Sequence, residues 1–218
     1  MKRALVLIAL ALAVLSCDDR RYDQSISVLI DVSGTYANER AETVRVIKRE
    51  ILPHMVPGDT LLIVRIDSES YDRENLEAMI TLDNRPSRAN AQKLAMAQTL
   101  DAFAKKPMNA QHTDIPGAMM LGAEYLNEIG SGSRVMLIFS DMQEDLPPGS
   151  KRKMKTDELQ GTHVVAINVK RLKHDTTDPA VFRDRMATWE GRVKEAGAAE
   201  WRTLMDASKL PDYLASIR

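Results

Sequence analysis

Short apolar runs alternate with amphipathic stretches of helical period along most of this chain. Residues 25–30 (SISVLI), 60–66 (TLLIVRI), 134–139 (RVMLIF) and 163–169 (HVVAINV) are dominated by Val, Ile and Leu, the pattern of strands buried on both faces. Between them, residues 39–52 place Val44, Ile47 and Ile51 on one helical face, and residues 88–105 do the same with Leu94, Ala97, Leu100 and Ala104. Residues 116–129 carry Ala118, Leu121, Tyr125 and Ile129 in register and close on Gly130. Asp178 and Pro179 form an N-cap and first-turn pair. The helix they open has Phe182, Met186, Trp189, Val193 and Ala196 on its apolar side and ends at Gly197. Weaker signals predict an edge strand at 76–82, a short helix at 156–160 stopped by Gly161, a strand at 200–204 and a final helix at 209–217. This alternation predicts an α/β sheet with crossover helices. No repeat or linker interrupts residues 25–218, which read as one domain.

The first residues break the pattern. Lys2 and Arg3 precede an unbroken apolar run at 4–15. That run is shorter than the roughly 20 residues of a spanning helix and has the length of a signal-peptide core. It ends near Cys17, the only cysteine of the chain. The stretch AVLSC resembles the lipobox of bacterial lipoproteins, with Val14 where leucine is commoner. The resemblance implies a signal peptide at 1–16, lipidation of Cys17 and a tether over 17–24. Several acyl chains on one residue hold a domain stably on a membrane, where one chain does not. Asp18, directly after the cysteine, resembles the inner-membrane retention signal of enterobacterial lipoproteins. It implies a domain of the bacterial cell envelope, held on the inner membrane and facing the periplasm.

Composition adds one exclusion. Of 218 residues 44% are hydrophobic and 28% charged, and the formal net charge is −1, so nothing argues for nucleic acid as a partner.

Candidate chemistry gathers at the strand ends. Two apolar strands finish in aspartate, VLID at Asp31 and LIFSD at Asp141. Ser33 and Thr35 follow Asp31 at alternate positions, and Thr113 stands just before the helix at Pro116. Ligand crevices of open parallel sheets lie at the carboxyl ends of the strands, where the strand order reverses. If the two strands are neighbours, these groups meet there. Taken singly, each is an ordinary turn or cap residue; the coincidence of three places singles them out. Two carboxylates and three hydroxyls, with no His or Cys, suit a hard divalent cation such as Mg2+.

The series Asp31-x-Ser33-x-Thr35, Thr113, Asp141 resembles the metal-ion-dependent adhesion site of the von Willebrand factor type A domain, and the likeness covers residues 24–214. It implies a doubly wound, mostly parallel sheet flanked by helices. It also implies a bound Mg2+ or Mn2+ and a partner protein that donates a carboxylate to the ion. Ser33, Thr35 and Thr113 would then give hydroxyl oxygens, and Asp31 and Asp141 would act directly or through water. Thr35 replaces the usual serine but keeps the hydroxyl, and Met142 stands where the family often has glycine.

Two rival readings fit the same residues. DVSGT also resembles the nucleophile motif of haloacid-dehalogenase-type phosphatases, and SDMQED, with Asp141 and Asp145, their metal-binding motif. Asp31 would then attack phosphorus. Against this, Ser33 replaces the general acid, residues 39–52 read as helix where that family expects a hairpin flap, and no lysine lies between Thr113 and Asp141. The other rival keeps the fold without metal, as a passive scaffold whose aspartates bond backbone amides. The favoured expectation is a membrane-anchored binding domain rather than an enzyme, with Glu144 and Asp145 on the rim of the crevice; the four histidines lack ligand spacing and read as structural or exposed, with His112, beside Thr113, as the one that could reach the crevice.

Overall fold

The computed structural model describes residues 21–34, 36–108 and 110–218. Six strands share one sheet: β1 (Gln24–Asp31), β2 (Thr60–Ile66), β3 (Leu76–Thr81), β4 (Ser133–Phe139), β5 (Thr162–Ile167) and β6 (Glu200–Leu204). Their order is β3-β2-β1-β4-β5-β6. Only β3 runs antiparallel to its neighbour; the other pairings are parallel. The order runs outward in both directions from the β1–β4 pair, so the sheet is doubly wound and mostly parallel, as expected. The reversal point, and with it the crevice, lies between the carboxyl ends of β1 and β4.

The helices are α1 (Arg40–Val46), α2 (Pro86–Lys105), α3 (Ile115–Ile129), α4 (Lys173–Thr177), α5 (Pro179–Glu195) and α6 (Leu210–Ser216). Strand alternation sorts the core into two layers. Ile26, Val28 and Ile30 of β1 join Val135, Leu137 and Phe139 of β4 under α1, α2 and α6. On the other face Leu29, Met136, Ile138 and Val164 pack against α3 and α5. Gly122 of α3 lies so close to β1 that a Cβ there would stand 2.6 Å from Ser27 Oγ. Only glycine lets this helix approach the small serine side of β1 so closely.

Several elements differ from expectation for local reasons. β1 begins at Gln24, placed above in the tether; this residue is buried and its amide donates to Asp59 Oδ1 at 2.9 Å. The first helix widens into a π turn over Ile47–Ile51 and ends in a 3-10 turn containing Pro53, whose ring and missing N–H end the regular ladder. Residues 156–161 form turns, not a helix. There Leu159 and Gly161 donate their amides to Ala196 and Gly197 carbonyls instead of to a helical ladder. β5 stops at Ile167 because Asn168 turns to φ 47°. Helix α4 had no counterpart in the sequence reading; Asp175 anchors it, buried against Arg185. No helix of the described residues is long and apolar enough to cross a membrane.

Candidate metal centre

Three loops meet above the β1–β4 junction. The first follows Asp31, the last residue of β1. Asp31 Oδ1 accepts both the Ser33 amide at 2.9 Å and the Ser33 hydroxyl at 2.6 Å, which folds the chain back immediately after the strand. The Tyr36 amide then donates to the Ser33 carbonyl at 3.0 Å, and the buried Tyr36 ring anchors the loop in the core under α1. The second loop leads into α3. Ser33 pairs with Ala110 through an isolated parallel bridge. Asp114, not Thr113, caps the helix by accepting the Gly117 amide. The third loop follows β4. Thr113 and Asp145 exchange backbone hydrogen bonds at 2.7 and 3.1 Å, so the second and third loops are stitched together.

Between the loops lies an open depression of about 420 Å³, lined among others by Ser33, Gly34, Gln111, Thr113, Gln143 and Asp145. Of the predicted ligands, Ser33 and Thr113 line it. Asp31 and Asp141 are buried close by, only 0% and 2% exposed. Thr35 and Cys17 lie outside the described residues, as do the predicted signal peptide and most of the tether. His112 reaches the rim, where its Nδ1 lies 3.0 Å from Asp145 Oδ2. Glu144 is held there by Arg192.

Sequence reasoning missed Ser140. Its hydroxyl donates to Asp31 Oδ2 at 2.6 Å and accepts the Met142 amide at 3.0 Å. The serine thus ties the end of β1 to the loop that carries Asp141. The signal was a hydroxyl directly before Asp141 in LIFSD. Met142 itself adopts φ 61°, the left-handed region that favours glycine, with its side chain fully buried.

The electrostatics of Asp31 are unusual. Among the described residues no Lys, Arg or His forms an ion pair with Asp31 or Asp141. Burial pushes the Asp31 carboxyl above its ordinary range. The Ser140 and Ser33 hydrogen bonds pull it down, and the neighbouring Asp141 charge raises it again. A buried carboxylate beside a second one needs either a proton or a cation. Among the described residues no three His, Cys, Asp or Glu side chains converge on one point, so a cation here relies on hydroxyl oxygens. Ser33 Oγ spends its proton on Asp31 and keeps lone pairs free, and Thr113 offers a second hydroxyl beside the same depression. That donor set fits a hard, oxygen-seeking ion.

No protein-family model matches the sequence, and no curated protein does. Solved structures do match. The pilus adhesin SpaC of Lactobacillus rhamnosus GG, in an open conformation, is 15% identical at a TM-score of 0.52, over 89% of this chain and 29% of that one. An aerotolerance-related membrane protein of Bacteroides fragilis is 10% identical at 0.53, over 89% of this chain and 97% of its own. BatB of Bacteroides thetaiotaomicron is 10% identical at 0.53, over 88% and 95%. The chain thus spans less than a third of SpaC but nearly all of the two Bacteroides chains. The last two are von Willebrand factor A proteins. Identities this low speak to the fold, and with the strand order and the three loops above the β1–β4 junction, they show that this chain has the von Willebrand factor type A fold.

Proposed function

We propose that this chain is an adhesion-type domain that binds a partner protein through a divalent cation, Mg2+ or Mn2+, at the carboxyl edge of its sheet. Asp31, Ser33, Thr35, Thr113 and Asp141 would hold the ion. Bound there, the ion supplies a positive charge with an open coordination position for a partner's carboxylate. The chain's own residues do the rest. Ser140 and Ser33 orient the Asp31 carboxylate, the paired Thr113 and Asp145 backbones fix the loop spacing, and Gly34 leaves the approach open. A lipidated Cys17 would hold the domain on the inner membrane, facing the periplasm. The reading assigns no covalent chemistry.

One observation supports it above all: a fully buried Asp31 whose hydrogen-bond partners among the described residues are two hydroxyls and an amide, with a second carboxylate nearby and no cationic side chain paired with it there. The same burial disfavours the phosphatase reading, since a nucleophile must reach its substrate, and a helical turn begins at Ala37 where a flap would rise.

The test is thermal unfolding of wild type and Asp31→Ala with Mg2+, Mn2+ or chelator. An ion that binds only the native state raises the melting temperature of wild type and leaves the variant unmoved. A wild type indifferent to metal leaves the passive scaffold. Turnover of a generic phosphate ester that vanishes in Asp31→Ala establishes the hydrolase instead. Cys17→Ser should release the protein from membranes; retention would refute the anchor.

A further inference from the structure

The loop that carries Asp141 is braced from outside the site by helix α5. The buried Trp189 indole N–H donates to the Met142 carbonyl at 2.8 Å. One turn on, Arg192 lies over the Trp189 ring at 4.2 Å and donates to both carboxylate oxygens of Glu144, at 2.5 and 3.4 Å. Both bonds land on the loop immediately after Asp141. The residue that Trp189 grips is the left-handed Met142, a conformation that side-chain-bearing residues avoid unless their surroundings enforce it. On the N-terminal side of the same residue, the Met142 amide donates to Ser140, and Ser140 donates to Asp31. A hydrogen-bonded path therefore runs from α5 through Met142 and Ser140 to the buried carboxylate.

We propose that Trp189 is a positioning residue for the cation site, with Arg192 as its support. The indole N–H holds Met142 left-handed, and that conformation sets Asp141 beside Asp31. This inference rests on the cation-site reading and deepens it, for it makes α5 the element that tunes metal affinity. A purely structural tryptophan would satisfy its N–H on any buried carbonyl. This one bonds the left-handed residue that directly follows Asp141.

The test separates positioning from packing. The chain has two tryptophans, so Trp201→Phe leaves Trp189 as the only indole. In that protein, Mg2+ should shift the Trp189 emission saturably, with a midpoint matching the Mg2+ affinity measured by titration calorimetry. Trp189→Phe keeps most of the ring volume and removes the N–H; it should weaken Mg2+ binding about 3- to 10-fold, the worth of one hydrogen bond. Arg192→Gln leaves Trp189 in place and should weaken Mg2+ in the same direction by less, so the proposal stays testable if Trp189→Phe does not fold. If Mg2+ binds wild type but Trp189→Phe and Arg192→Gln bind it equally well, or Trp189 emission ignores the bound ion, the brace is refuted alone. If wild type binds neither Mg2+ nor Mn2+, the cation site and the brace fall together.

Discussion

Two serines buried in the same sheet should respond to truncation in opposite ways. Ser140 and Ser27 are both fully buried. The Ser140 hydroxyl is used twice, donating to Asp31 Oδ2 and accepting the Met142 amide. The Ser27 hydroxyl has no hydrogen-bond partner among the described residues. Ser140→Ala removes a bond to an acidic group, worth about 1.5–3 kcal/mol, and strands a buried amide at about 1–3 kcal/mol more. Such contributions overlap, so the expected loss is roughly 3–5 kcal/mol. For a chain of this length each kcal/mol moves the melting temperature by about 2–4 °C, which gives a fall on the order of 10 °C. Ser27→Ala deletes a hydroxyl that gains nothing from burial, and should be neutral or stabilising by up to about 1 kcal/mol.

The assay is urea unfolding with chelator present, so that metal linkage does not enter. A second readout follows from the same bond. The Ser140 hydrogen bond lowers the Asp31 pKa, so its removal lets that pKa rise further and sets a stronger proton competitor against Mg2+. Ser140→Ala should therefore lose metal affinity as well as stability, and Ser27→Ala should lose neither. Equal losses in the two variants would refute the reasoning, because they would show that hydroxyl burial, not hydrogen bonding, sets the cost. So would a Ser140→Ala loss below about 1 kcal/mol.

Met142 offers a reversal of the usual order of small residues. Met142→Ala keeps the left-handed backbone and loses a buried side chain, for about 2–5 kcal/mol, whereas Met142→Gly loses the same side chain but relieves about 1 kcal/mol of strain. Chemical denaturation should find the glycine variant the more stable of the two; the opposite ranking would mean that φ 61° carries no strain here. The pH dependence has a definite sign. In the metal-free protein the raised Asp31 pKa means that the folded state binds more protons than the unfolded one above pH 3.8, so this group's contribution to stability falls as pH rises through that window. Bound Mg2+ needs the carboxylate ionised, so the rise in melting temperature that it produces should be larger at pH 8 than at pH 5, a difference that a buffer series checks directly.

The parts that were legible and those that were not divide along a physical line. Asp31 and Asp141 stood out because each ends a run of residues that only a buried strand explains, and a carboxylate there is anomalous in one dimension. Period alone placed Trp189 among the apolar positions of its helix, but it misjudged the face of α2, where Leu94 is exposed and Ala89, Met96 and Phe103 are buried along with Leu100. What no local signal carried was pairing. Nothing near Ser140 says that its proton belongs to Asp31, 109 residues earlier, and nothing near Trp189 says that its indole meets a carbonyl 47 residues before it. The strand order likewise comes from contacts between segments far apart. Glycine at 122 reads as a weak spot inside a helix until Ser27 is seen beneath it. The one local anomaly passed over as a mere departure from the family pattern was Met142, a bulky residue where glycine is usual. That substitution is tolerable because α5 buries the side chain and grips the carbonyl. The constraint that glycine meets by having no side chain is met here by packing and one indole hydrogen bond, so this loop should depend on α5 in a way that a glycine-bearing loop would not.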